Sequence, residues 1–126
     1  MNDTPPDDRR YAPTHQWARA LADGQVEIGI TAFAQSALGD VVFVELPAAG
    51  HALVAGEPFM LLESVKTASD VHAPLGGVVR EVNDALREAP EALNDDPWST
   101  WLVRIDPAPG EHAPLDAAAY RELLAR

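Results

Sequence analysis

The chain has 126 residues and no cysteine, with nine basic side chains against twenty acidic ones and a formal net charge of −11. That length suits one domain with a real core, and the charge argues against nucleic acid as a partner. The missing thiols exclude a disulfide scaffold, a cysteine nucleophile and every thiolate metal site.

No apolar run reaches the ~18 residues that span a bilayer, and the opening MNDTPPDDRR lacks the apolar stretch of a secretion signal. The expectation is an acidic cytoplasmic domain covering 1–126, with no membrane partner. Residues 1–14 are polar and carry Pro5, Pro6 and Pro13; 1–10 read as flexible, and Tyr11 and Trp17 as the first points of docking.

Val26, Ile28 and Ile30 alternate with Gln25, Glu27 and Gly29, the period of a half-buried strand. Thr31 suits the cap of a short helix over 32–38, with Phe33 and Ala37 on one face and Gly39 ending it. Val41–Leu46 is apolar on both faces except for Glu45 and reads as a central strand stopped by Pro47. Phe59–Leu62 and Val78–Val82 read as strands, 83–97 as loop or short helix, and the alternation of Trp101, Val103 and Ile105 as a last strand. Asp116 suits the N-cap of a closing helix at 116–125, with Leu115 and Tyr120 in the two positions of a hydrophobic staple. About six strands spaced this tightly leave no room for helical crossovers, so the class is mainly β, a sandwich or flattened barrel. Gly39-Asp40-Val41-Val42 is echoed by Gly76-Gly77-Val78-Val79 at an offset of 37 residues, as two similar halves joined by a hairpin would produce.

Eight of the nine basic residues are arginine, and Lys66 alone is lysine. Arginine serves wherever a bare charge suffices, but its guanidinium is no acylable amine. Compositional drift leaving one solvated lysine is the plain alternative. The run from Phe59 to Pro74 reads as strand, tight turn, strand, with Ser64 and Thr67 bracketing the turn and Lys66 at its tip. An amine held there is solvated, reachable and rigidly mounted. Those are the needs of a group that one enzyme acylates and several others visit. Glu63 and Asp70 flank it, placed either to orient a modifying enzyme or as solvated acids of an acidic chain.

Other chemistry finds no clustered set. His15, His51, His72 and His112 have no metal-ligand spacing. Asp95-Asp96-Pro97 reads as a turn, Gly76-Gly77 lacks the rest of a phosphate loop, and the serines lack the glycines of a nucleophile elbow. A small hydrolase or metal enzyme therefore finds no support in the spacings, while an interaction module with an unmodified lysine stays open.

Glu63-Ser64-Val65-Lys66-Thr67-Ala68-Ser69-Asp70, followed by Ala73-Pro74 and Gly77, resembles the lipoylation motif of the glycine cleavage H-protein family. The resemblance continues through Gly29-Ile30-Thr31, Ala34-Gln35, 38–47, Glu81-Val82-Asn83 and 94–97. His15, Trp17 and 116–120 extend it to roughly residues 11–124. Val65 and Thr67 stand where a biotin carrier has methionines.

The resemblance implies a lipoyl/biotinyl barrel-sandwich hybrid with short flanking helices, including a C-terminal one. It implies a non-catalytic carrier with lipoate joined as an amide to Lys66, the cofactor supplying the chemistry. The arm would shuttle the aminomethyl group of glycine between glycine decarboxylase, an aminomethyltransferase and dihydrolipoyl dehydrogenase, after lipoylating enzymes have attached it. It further implies that Glu63 helps the lipoylating enzyme recognise the site, and that Thr14, Gln16 and Asp70 line a cleft where the arm parks. Three positions depart from the family. Gln16 replaces a glutamate, so a dipole stands in for a charge; Ala32 replaces an acid; and 97–101 compress a glycine-rich stretch. These departures keep open a second reading, an H-like carrier that relays lipoate to other enzymes or serves a specialised pathway. The acidity suits a monomer meeting basic partners in weak, salt-sensitive encounters.

Overall fold

The computed structural model describes residues 4–126; residues 1–3, part of the segment expected to be flexible, lie outside that range. In chain order the described residues form β1 (Arg10–Tyr11), β2 (Gln16–Ala20), β3 (Val26–Ile30), α1 (Ala32–Leu38), β4 (Val41–Glu45), β5 (Ala52–Leu53), β6 (Pro58–Ser64), β7 (Ala68–His72), β8 (Gly77–Val82), α2 (Ala85–Glu88), α3 (Ala92–Asp95), β9 (Val103–Pro107) and α4 (Ala117–Leu124). A six-stranded sheet runs β1-β2-β3-β9-β8-β5, and a three-stranded one runs β4-β6-β7. Neighbouring strands are antiparallel throughout. Ile28, Val79 and Ile105 of the larger sheet and Val44, Leu62 and Val71 of the smaller one belong to one buried cluster. Each such side chain contributes roughly 1.5–3 kcal/mol by leaving water.

The mainly β class holds, with nine strands rather than about six. β2 escapes a sequence reading because Gln16-Trp17-Ala18-Arg19-Ala20 has little strand character of its own. Five consecutive pairings with β3 make it a strand, a case of partner overriding propensity. The stretch 83–97 resolves into α2 and α3, and the last strand starts at Val103. Before it, the Trp101 carbonyl accepts from the Asn83 side chain.

β4 is a correction. It is an edge strand of the smaller sheet, whose centre is β6. Asn94 closes its outer side at Val41, accepting from the Val41 N–H at 2.8 Å and donating to its carbonyl at 3.2 Å. A register shift between Val41 and Phe43 turns successive side chains outward, as bulges do. Val42 and Phe43 are 53% and 49% exposed. An unbroken apolar run does not distinguish a buried strand from one left bare.

The echoed segments lead into β4 and β8, one in each sheet. The β6–β7 hairpin lies between them in sequence but wholly within the smaller sheet, so it does not join two halves. Both predicted helix caps form. Thr31 Oγ1 accepts from the Ala34 N–H, Gly39 ends α1 at φ 83°, and the Asp116 carboxylate accepts from the Ala119 N–H.

Tyr11, Trp17, Ala32, Trp98, Ala117 and Tyr120 form a second, aromatic cluster. Gly29 passes beneath the Trp17 indole with no room for a Cβ. Ala32 is buried in this cluster. Residues 5–11 are tied to it. The Tyr11 hydroxyl donates to the Pro6 carbonyl, Arg9 donates to the Trp98 carbonyl, and Arg121 of α4 reaches the Pro5 carbonyl. No described helix is long and apolar enough to cross a membrane.

Candidate modification site and its cleft

β6 and β7 pair from Pro58↔His72 to Glu63↔Ala68, and the four residues beyond close the turn. Ser64 builds it. Its N–H donates to the Thr67 carbonyl at 2.7 Å, and its hydroxyl oxygen accepts from the N–H groups of Lys66 and Thr67. The Val65 N–H donates to the Asp40 carbonyl at 3.0 Å, tying the tip to the start of β4. Lys66 is exposed on this fixed base, as its position in the sequence predicts.

Its ammonium is not adrift. Nζ donates to the Ala37 carbonyl at 3.3 Å, in the last turn of α1. That turn carries no basic residue of its own, so Lys66 supplies the cation that a helix C-terminus favours. Gly39 lets the stem cross, since a Cβ there would lie 3.0 Å from Lys66 Cε.

Beside the hairpin, α1, β7 and the 14–16 segment enclose an open cleft of about 310 Å³. Thr14, Gln16 and Asp70, drawn from three parts of the sequence, all line it. Gln16 is only 3% exposed and is engaged with Thr14. It accepts from the Thr14 hydroxyl at 2.5 Å and donates to the Thr14 carbonyl at 2.8 Å. Asp70 is exposed at the rim. Glu63 does not line the cleft; it is half-buried in β6 beside Phe43. A second groove of about 460 Å³ between 7–10 and 111–116 contains none of the predicted site residues Thr14, Gln16, Glu63, Lys66 and Asp70.

Phe33, Ala37 and His15 also line the cleft, a role the sequence did not predict for them. Phe33 and Ala37 share a face of α1 as expected, but that face lines the cleft, which the buried Leu38 also reaches, while Ala32 and Gln35 turn inward. His15 stands at φ 74°, its ring tilted over Phe33 at 4.3 Å. Its Nδ1 lies 2.7 Å from the Tyr120 hydroxyl, which donates to Thr31 Oγ1 at 2.8 Å. Burial holds the His15 imidazole below its ordinary pKa of 6.5 and pushes the Tyr120 phenol up to about 12. Neither histidine spacing nor local sequence signals this arrangement, because Phe33 and Tyr120 meet His15 only in the fold.

Two sheets with one lysine on a hairpin tip define a barrel-sandwich hybrid of the lipoyl/biotinyl class. A family profile described as "Glycine cleavage H-protein" matches residues 9–125. The chain is 50% identical over 119 residues to "Glycine cleavage system H protein 2" of Pseudomonas syringae pv. tomato, covering 92% of this chain and 93% of that one. It is 50% identical over 123 residues to the "Glycine cleavage system H protein" of Halorhodospira halophila, at 95% of each chain. The crystal structure of a glycine cleavage system H protein from Mycobacterium marinum superposes with a TM-score of 0.86 at 38% identity, over 97% of this chain and all of that one. The chain belongs to the glycine cleavage H-protein family, the lipoyl carriers of the glycine cleavage system.

Proposed function

We propose that residues 1–126 form one carrier domain whose Lys66 amine bears lipoate as an amide, and that the chain works as a non-catalytic shuttle. The residues present suit such a group: a solvated amine on a fixed turn, and next to it a cleft with an apolar side of Phe33, Ala37 and Leu62. When bound, lipoate supplies a dithiolane for carrying the aminomethyl unit derived from glycine. Ser64 holds the turn, Gly39 lets the stem pass, and α1 directs its first carbons toward the cleft. Thr14, Gln16 and Asp70 line the resting place of the arm, with Gln16 offering a dipole rather than a charge. Glu63, beside the hairpin, assists recognition by the lipoylating enzyme. The partners are glycine decarboxylase, the aminomethyltransferase, dihydrolipoyl dehydrogenase and the lipoylating enzymes, met by a cytoplasmic monomer.

The observation that carries this reading is the one lysine side-chain amine in the sequence, exposed at a turn whose backbone is hydrogen-bonded on both sides. After co-expression with lipoylating enzymes, the intact mass should rise by one lipoyl group. Lys66→Arg keeps the charge and should abolish the gain entirely. A lipoylated Lys66→Arg chain overturns the assignment. Glycine–bicarbonate exchange with glycine decarboxylase tests the shuttle role, and its absence favours the relay of lipoate to other enzymes.

A further inference from the structure

The outer face of the smaller sheet carries two rows. Phe43, Glu63 and Ala68 stand in register across β4, β6 and β7, and Glu45, Leu61 and Asp70 form the row behind them. Phe43, Glu45, Ala68 and Asp70 are exposed, while Leu61 and Glu63 are half-buried. The face therefore has an apolar middle, Phe43 with Leu61, among three carboxylates. Lys66 projects from the turn immediately beyond the first row, with Val65, 70% exposed, beside it.

No other lysine or arginine occurs between residues 20 and 79. Among the described residues Glu45, Glu63 and Asp70 have no ion-pair partner, although most arginines hold a carboxylate. Bare carboxylates around an aromatic side chain complement a protein surface that is apolar at its centre and basic at its rim.

We propose that this face is the docking surface for the enzyme that acylates Lys66, and that Phe43 and Glu45 contribute to it alongside Glu63. The proposal rests on the reading of Lys66 as the lipoylated residue. The choice of occupant follows from reach. An enzyme that acylates the amine must bring Nζ into its own active centre, so the rows flanking the hairpin fall inside its footprint. Enzymes that meet the end of an extended arm have no such need.

The test is steady-state lipoylation of the full-length unmodified chain by a purified lipoate–protein ligase with lipoate and ATP, read as intact mass. Phe43→Ser should raise KM about fivefold and leave kcat unchanged. Glu45→Lys, on an exposed position where folding is not at risk, should raise KM about tenfold and weaken the salt dependence. Val54→Ser removes an equally exposed apolar residue elsewhere and should change nothing. Wild-type KM in both Phe43→Ser and Glu45→Lys overturns the docking face, as does a loss confined to kcat. Normal lipoylation with slowed glycine–bicarbonate exchange assigns the face to a later partner and also overturns it. A wild-type chain that gains no lipoyl mass overturns this proposal together with the lipoylation of Lys66, whereas normal wild-type uptake with unshifted variants overturns the docking face alone.

Discussion

The two sheets treat their outward charges in opposite ways. Across β2, β3, β9 and β8 of the larger sheet, Arg19, Glu27, Arg104 and Glu81 stand in register. Glu27 binds Arg19 at 2.8 Å and Arg104 at 3.0 Å, and Arg104 reaches Glu81 at 3.3 Å. Arg104 also covers the Trp101 ring at 4.0 Å, and Arg80 pairs with Asp106. Positive and negative alternate there until the surface is neutralised by its own chain. On the smaller sheet Glu45, Glu63 and Asp70 stand among apolar side chains, with no cation paired to them among the described residues. A carboxylate paired within the chain serves the fold; one left bare beside the modifiable amine is available to a visitor.

The sharpest break of that contrast is Glu27→Gln set against Glu45→Gln. The Glu27 side chain is 6% exposed, while its two arginines keep 38% and 30%. Its loss should cost roughly 2–3 kcal/mol, below the 3–5 kcal/mol of a fully dry pair, and lower Tm by roughly 10 °C. Glu45→Gln should leave stability within about 0.5 kcal/mol. Thermal melts decide it, and equal shifts in the two variants would erase the distinction between the sheets.

Gln16→Glu sharpens the contrast by placing a carboxylate in the larger sheet, at the end of β2 that lines the cleft. A glutamate cannot donate to the Thr14 carbonyl as the Gln16 amide does, so its charge is released toward the cleft. An aminomethyl-loaded arm should then persist about fivefold longer, the factor supplied by ~1 kcal/mol of extra charged hydrogen bonding. Equal lifetimes would mean that residue 16 does not guard the arm.

The smallest effect concerns His15. Burial favours its neutral form, so its contribution is complete above pH 6.5 and drains away as pH falls through that value toward the lowered folded one. His15→Asn, which tolerates the positive φ, should flatten the acid side of the stability–pH curve in that window. An unchanged slope would assign it to other groups.

The hairpin and Lys66 were legible because they depend on local chemistry: a turn bracketed by Ser64 and Thr67, and a composition that spends one lysine. The caps at Thr31 and Asp116 were legible for the same reason, since a side chain bonding three residues ahead needs no distant partner. β2 and the exposure of β4 depend on tertiary pairing and a register shift, which no sequence period reveals. The cleft was legible as a set, Thr14, Gln16 and Asp70, through family resemblance. Phe33, by contrast, presents the same apolar character to a sequence reader whether it lines an open cleft or fills the interior. The bond between Gln16 and Thr14 is a rotamer choice that composition does not encode.

One contact has a use beyond the fold. The unmodified ammonium rests on the last turn of α1, and converting it to an amide removes the lone positive group from that half of the sequence. Modified and unmodified chains thus differ by a whole unit of charge concentrated at one spot. An anion exchanger run on folded protein can sort one from the other.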